Sequence, residues 1–511
     1  MIRRSNGLYS QIEDLAYENE RIAEENRMLR AENSEHRSEN ARLRKRIEAL
    51  EATMEERIKK AVEEAVAAAV APLHAIIAEK DKEIMRLKSQ LNKDSSNSSK
   101  PPGSNGFKKI PNNREKSNKE QGGQHGHKGN RLNIPENLDE LVAAGWAEHI
   151  VLSDVPEGEP YVSDWTVDIK IVTVFTEHRR KPGKPPKIEY GTQLKVLAVY
   201  LSVIGLIAIK RLSQFFHEIS HNTITVSKAA LAEFTHIAAD AVSLEPYVHD
   251  LLNGKVINVD ETPIKTTERP NESGILETAE KTTFNAYIRT YSNSRTTILT
   301  ANPFKTEESV ITDNILSRFH GIVSQDHEAK FYNFGNANAT CGAHITRELK
   351  GMSDLQMLEW AGGVRQFFLG MNAYKNHDVH NNITSCEPFV LRLFETYYDD
   401  LLQEGKRQLS VMPPKSFGWD ELRRMTNRLE KYKDNYLLFI RDYDAPFTNN
   451  LSERDLRHCK TKQKVSGCFR SWRGVLDYCK VRSFLDTAKK RNHNLLETLL
   501  SIWPQPTSAG Q

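Results

Sequence analysis

A chain of 511 residues with 38% hydrophobic content and a mean hydropathy of −0.59 has room for several domains but is too polar for one continuous core. Its longest apolar run, Val196 to Ile209, lies between Lys195 and Lys210 and is shorter than the roughly 20 residues of a bilayer span, which excludes a membrane-spanning protein. The net charge of +3 conceals segregated acids and bases, and the five cysteines, all beyond residue 340, are too scattered for a disulfide framework. The charged N-terminus has no apolar signal segment, so the expected setting is a reducing cytoplasm.

The first ninety residues contain few glycines or prolines and read as helix. Leu8, Leu15, Ile22, Leu29, His36, Leu43 and Leu50 recur every seven residues, beside a second track of Ile12, Asn19, Asn26, Asn33, Asn40, Ile47 and Met54. These are the d and a positions of a coiled coil. Asparagine at a costs stability but favours one register, because its amide needs a partner across the seam. Residues 1–92 are therefore expected to join two or more copies of the chain, a parallel dimer first; a solvated single helix is the plainer alternative. The phase drifts near Glu56, Pro72 breaks the helix, and Ile77, Ile84, Leu87 and Leu91 resume the pattern.

Residues 93–131 carry nine Lys/Arg against three Asp/Glu and little apolar material, the composition of a basic linker. Such a segment can follow a DNA backbone or serve only as a tether. His125 and His127 alone are a weak metal signal.

A globular, mainly helical region is expected over 132–245. The pattern predicts short strands over 169–180, one helix over roughly 193–217, a break at His221-Asn222-Thr223, and a second helix capped by Ser227. Two helices joined by a polar break can form a helix-turn-helix that enters a major groove, and equally an ordinary pair in an α-rich core.

From Gly254 the periodicity switches to strands. Val256 to Val259 leads into Asp260, Thr283 to Tyr291 alternates, and Arg295 to Thr300 is β-branched. A helix is expected from Thr306 to Phe319, and a fourth strand, Gly321 to Ser324, ends at Gln325-Asp326. Three strands, a helix and a fourth strand fit a ribonuclease-H-like α/β core, where the first and fourth strands are neighbours and bring Asp260 and Asp326 together. Two divalent cations held by such carboxylates can activate an attacking oxygen and stabilise a leaving one in phosphoryl transfer. Either aspartate alone is as well explained by an Asx-type turn at a strand end.

The third acid is Glu453. Locally, Asn450 with Glu453 is also a capping-box pattern, and Arg457 stands one turn on as a salt-bridge partner. Between Arg454 and Arg491 there are twelve Lys/Arg against three Asp/Glu, which suits a polyanionic substrate beside an acidic metal site.

Seven segments then occur in order: SSNSSKPP at 95–102, GGQHGHKG at 122–129, VDET at 259–262, SQDHEAKFYNF at 324–334, CGAHITREL at 341–349, NNLSERDLR at 449–457 and KQKVSGCFRS at 462–471. Together they resemble the transposases of the insertion-sequence-66 type, over nearly the whole chain. The resemblance implies a DDE active site, with Asp260, Asp326 and Glu453 as catalytic residues and ligands of Mg²⁺, or Mn²⁺. It implies DNA as partner, both terminal inverted repeats and target DNA; among the basic residues of 454–491 that the charge count singles out, Arg457, Lys460, Lys462, Lys464, Arg470 and Arg473 are expected to contact its phosphates. Cys341 and His344 match a C-x-x-H element that follows the second aspartate in similar transposases and are expected near the active site, in support rather than as metal ligands. Transposases of this type are often encoded beside small accessory proteins, which are further candidate partners.

One departure stands out. Family members usually carry a cysteine-rich zinc ribbon after the glycine-rich linker, whereas residues 135–180 contain no cysteine, so no structural zinc is expected. The expected organisation is a multidomain protein: a coiled coil (1–92), a basic linker (93–131), a helical DNA-binding region (132–245), a ribonuclease-H-like core in two parts (246–345 and 441–495) split by a helical insertion (346–440), and a tail (496–511). The expected activity is 3′-end cleavage and strand transfer of an insertion sequence. The alternatives are an inactive transposase-derived DNA-binding protein and a ribonuclease-H-like nuclease acting on another substrate.

Overall fold

A computed structural model describes residues 5–70 and 132–503, apart from 153, 157, 180–186, 357 and 415. The chain divides into two units, 1–93 and 94–511. In the first, Ser5–Val70 is one unbroken helix, α1, of 66 residues, roughly 100 Å long at 1.5 Å per residue. Leu15, Ile22, Leu29, Leu43 and Leu50 are all exposed on it. The break at Pro72, the resumed heptads at 77–91 and the linker 93–131 lie outside the described residues.

Among the described residues of the second unit the first helix is a short one, α2 (Leu138–Ala143), followed by extended chain. The strands expected over 169–180 do not form among the described residues 169–179, and Ile169, Val174 and Phe175 are exposed there. Their alternation marks a strand-like pattern, but the pattern alone supplies no pairing partner.

The apolar run Val196 to Ile209 is buried or half-buried apart from Gly205, but as two helices rather than one. α3 (Thr192–Val203) and α4 (Ile209–Ile219) are separated by a turn in which Leu206 takes a positive φ of 56°. Positive φ at His221 and Asn222 makes the second break, and the Ser227 side chain accepts from Ala230 N to cap α5 (Lys228–Ala241) as expected. Leu231, Phe234, Ala238 and Ala239 of α5 are buried in the main core. Helix α6 (Glu245–Leu252) then leads into the sheet.

The sheet has five strands in the order β5-β4-β1-β6-β7: β1 (Val256–Thr266), β4 (Phe284–Ser292), β5 (Thr297–Asn302), β6 (Ile322–Gln325) and β7 (Ala337–Thr340). β1, β4 and β5 are antiparallel neighbours, while β6 and β7 run parallel to β1. The first and fourth expected strands are therefore adjacent. Two features were not anticipated, β7 and a small ribbon of β2 (Glu268–Pro270) and β3 (Leu276–Thr278). The helix expected over 306–319 is only α7 (Glu307–Thr312), capped by Thr306, followed by a 3₁₀ turn at Leu316–Arg318.

After β7 come α8 (Gly342–Gln356), α9 (Glu359–His380), α10 (Pro388–Val411), α11 (Trp419–Lys431) and α12 (Lys433–Arg441), packed in a cluster that includes Phe368, Leu422 and Tyr436 together with Ile322 and Ala339 of the sheet. Tyr432 alone separates α11 from α12. The chain then returns through α13 (Asn450–Ser466), α14 (Trp472–Lys490) and α15 (Leu495–Ile502). α14 seals the open edge of β5: Thr297 N donates to Thr487 Oγ1 at 3.1 Å and Leu299 N to Ser483 Oγ at 2.7 Å. Backbone donors that an edge strand would leave unpaired are satisfied by a helix instead.

Candidate active site

Strand alternation sends Asp260 and Glu261 to opposite faces of β1. Glu261, fully buried, accepts from Arg289 Nε at 3.0 Å and Nη2 at 2.6 Å, and from Lys330 Nζ at 3.0 Å. Arg289 also reaches Asp313, which accepts from Tyr291 Oη at 2.6 Å. This buried network ties α7 and the loop after β6 to the back of β1.

Asp260 lies on the other face, where α13 packs. It is not at the end of its strand, as the sequence suggested, but in the middle. β6 pairs with β1 only as far as Asn258↔Ser324, so Asp260 stands two residues beyond the end of that parallel ladder, where the strands open. Its Oδ1 accepts from Glu261 N at 2.7 Å. Burial, then the Asp326 and Glu453 carboxylates, push its carboxyl up to about 7.

Asp326 follows β6 directly, and Glu453 occupies the first turn of α13. The capping-box reading of Glu453 does not hold: the residue before the helix is Asn449, not Asn450, and no side-chain cap bond forms. Nor does a salt bridge join Glu453 to Arg457 among the described residues. The Glu453 carboxylate instead faces His344, with Oε1 at 3.8 Å from Nδ1, while Asp326 Oδ1 is 3.5 Å from the same nitrogen. These are ion-pair distances rather than hydrogen bonds, and His344 Nδ1 and Glu453 Oε1 are buried without a hydrogen-bond partner. Asp326 and Cys341 beside it push the His344 imidazole up to about 10.

Cys341 joins β7 to α8, and His344 lies in the first turn of that helix. One donor atom each of Asp326, Cys341, His344 and Glu453 lies within 4.8 Å of the others, a set able to coordinate a metal ion. Gly342 makes this turn against Phe447, donating its N–H to Phe447 O at 2.7 Å, and a Cβ there would strike the Phe447 ring. Gly342→Ala is expected to destabilise the protein by about 1–3 kcal/mol through overpacking. Thermal unfolding reads the effect; an unchanged Tm would mean that the ring yields freely.

Asn449 is the residue that sequence reasoning missed. It is fully buried, and its Nδ2 donates to Val259 O at 2.8 Å and to Asp326 Oδ1 at 3.1 Å, while its N–H donates to Cys341 Sγ at 3.2 Å. One side chain thus links β1, the end of β6 and the start of α13. The only local signal was the doubled asparagine before Glu453, which spacing assigned to the wrong member.

The six cations singled out beside Glu453 separate by position. Arg457, Lys460 and Lys464 are exposed and, at steps of four, three and four from Glu453, share one face of α13. Arg470 is exposed beyond that helix, and Arg473 is exposed with Nε bonded to His236 Nδ1 at 2.7 Å. Lys462 turns inward, donating to Ser202 O at 2.8 Å beneath the Tyr478 ring, and burial lowers its pKa to about 8.

Acidic side chains converging from a strand, a strand end and a helix, beside a cationic helix face, make the arrangement of a nuclease or transposase active site. The sequence profile of the Transposase IS66 family matches residues 187–476, more than half of the chain, and the chain belongs to that family. It is a DDE transposase, an enzyme whose substrate is DNA. Residues 10–133 match a family of unknown function (DUF6444). No curated protein matches the chain. Among the described residues no helix is long and apolar enough to cross a membrane.

Proposed function

We propose that the enzyme cleaves the 3′ ends of its own insertion sequence and joins them to target DNA, at a ribonuclease-H-like centre where Asp260, Asp326 and Glu453 hold Mg²⁺ or Mn²⁺. The observation that carries this reading is that Asp326 and Glu453 meet beside Asp260, whose carboxyl both of them raise, with no arginine or lysine paired to any of the three among the described residues. Glu453 Oε1 has no hydrogen-bond partner, and mutual repulsion helps to raise Asp260, so the donor set fits a hard cation. When bound, the metal would supply Lewis-acid activation of the attacking oxygen and stabilisation of the leaving one.

The protein's own contribution is placement. The Asn449 amide orients Asp326 and fixes the start of α13 against β1. The stripe of Arg457, Lys460 and Lys464 leads away from Glu453 and suits successive phosphates of one strand. Replacing each by alanine is expected to reduce the slope of log affinity against log salt by about 0.9 per lost contact on duplex DNA. Slopes that stay at the parent value would remove these residues from the interface.

In this reading α4 and α5 with the rest of 132–245 bind DNA without a zinc ribbon, the core is formed by 246–345 and 441–495, and 346–440 is an insertion. The protein acts in the bacterial cytoplasm, where accessory proteins of the same element are candidate partners. The exposed heptad leucines of α1 support a coiled coil, with residues 1–92 pairing two or more copies. Deleting them is expected to lower the mass in light scattering to that of a single chain; an unchanged oligomer would place the contact elsewhere.

Nicking tests the reading as a whole. With labelled element ends and Mg²⁺, the full-length protein is expected to produce a free 3′-OH at the element boundary. Binding without cleavage in either Mg²⁺ or Mn²⁺ would favour the inactive derivative.

A further inference from the structure

The four converging donors include more than a hard cation needs. Mg²⁺ takes oxygen ligands, whereas thiolate, imidazole and carboxylate together form a donor set that suits Zn²⁺. Cys341 Sγ, a ring nitrogen of His344 and one oxygen each of Asp326 and Glu453 already lie within 4.8 Å of one another. Zinc bond lengths of about 2.0–2.3 Å put tetrahedral ligands somewhat closer than that, so the set needs to contract by about 1 Å.

Two further observations point the same way. His344 Nδ1 and Glu453 Oε1 are buried at this point with no hydrogen-bond partner, so both have lone-pair or proton capacity unused by the protein. Cys341, only 1% exposed, sits directly before the 15-residue helix α8 and receives the Asn449 N–H at 3.2 Å. Its sulfur therefore faces the other three donors from a fixed position.

We propose that Asp326, Cys341, His344 and Glu453 form a tetrahedral Zn²⁺ site that is an off state of the active centre. The proposal rests on the carboxylate reading above and names a regulator of that site. Four protein ligands close the coordination sphere and leave no position for a phosphate oxygen. They also withdraw two of the three carboxylates from Mg²⁺. Loading zinc displaces the protons of the Cys341 thiol and of the His344 imidazolium to solvent, since both ligands bind metal only when deprotonated.

Co²⁺ titrated into the full-length protein is the probe. Tetrahedral Co²⁺ bound to thiolate gives a near-ultraviolet charge-transfer band and intense visible bands, and neither requires DNA or turnover. The expected band saturates at one Co²⁺ per chain, is erased by equimolar Zn²⁺, and survives millimolar Mg²⁺. It is lost in Cys341→Ser and kept in Cys468→Ser, whose cysteine lies outside the donor set. Should Cys341→Ser fail to fold, His344→Gln carries the test, with the visible bands expected to shift and weaken. An octahedral spectrum without a thiolate band, or a band unchanged in Cys341→Ser or in a folded His344→Gln, would overturn the proposal. Micromolar Zn²⁺ over millimolar Mg²⁺ is expected to slow cleavage by about tenfold or more, following the affinity order of divalent ions; an unchanged rate would remove the off state. A chain that shows the thiolate band but never cleaves DNA defeats the proposed function and leaves the zinc site standing. Cleavage in Mg²⁺ with no thiolate band does the reverse.

Discussion

Glu453→Gln is expected to lower Mg²⁺-dependent cleavage on the order of 10³-fold while leaving the fold and DNA binding in place. The substitution keeps the size and shape of the side chain and removes only its charge. Glutamine serves a capping box as well as glutamate does, so a residue that merely capped α13 would lose almost nothing. A residue that holds a metal would lose several kcal/mol of transition-state stabilisation, and each 1.36 kcal/mol is about tenfold in rate. Asp260→Asn and Asp326→Asn are expected to fall by a similar factor. Far-ultraviolet circular dichroism and gel-shift assays report on fold and binding, and single-turnover nicking reports on chemistry. Cleavage by Glu453→Gln within a fewfold of the parent would return the residue to a structural role.

The largest stability effect is expected at Arg289. Its side chain is fully buried and joins Glu261, Ser309 and Asp313, with Lys330 adding a second cation to Glu261. Arg289→Leu leaves a fully buried carboxylate with one cation and deprives Asp313 of its only cation in the network. Removing one partner of such a buried pair costs about 3–5 kcal/mol, because the remaining charge stays out of water. Urea unfolding of the parent and variant measures the difference. The same network lies behind β1, on the face opposite Asp260, so a milder variant, Lys330→Met, is expected to slow cleavage more than it lowers Tm. A loss below about 1 kcal/mol for Arg289→Leu would mean that water reaches the carboxylates after all.

Much of the site was legible in the sequence, and the failures have physical causes. Alternating β-branched runs with one helix between them were enough to make the first and fourth expected strands neighbours, which is how Asp260 and Asp326 come to share a cleft. The expected strand stopped at Val259, whereas β1 runs on through Pro263 to Thr266. Proline is tolerated there because no strand pairs with β1 on the β6 side between Asn258 and Thr266. The role of Asn449 was invisible because its contacts, Val259 and Asp326, lie 190 and 123 residues away. Spacing rules describe a helix start, not what the chain brings to it. The region at 169–179 failed for the opposite reason: its period-two pattern is clear, yet pairing depends on a partner that the pattern does not name. Lys462 shows the limit of charge counting, since one cation in a basic stretch can be fixed to a carbonyl in the core.

The most direct test of the central claim follows one DNA strand through both steps. A fragment bearing an end of the element, labelled on the strand to be transferred, is incubated with the full-length protein, an unlabelled plasmid and Mg²⁺. The account predicts that the label becomes covalently joined to the plasmid through the 3′-OH at the element boundary, that chelating Mg²⁺ abolishes joining, and that Glu453→Gln does not join. Cleavage without joining, at an equal rate on DNA that lacks the element end, would contradict it and leave a nuclease of broader substrate.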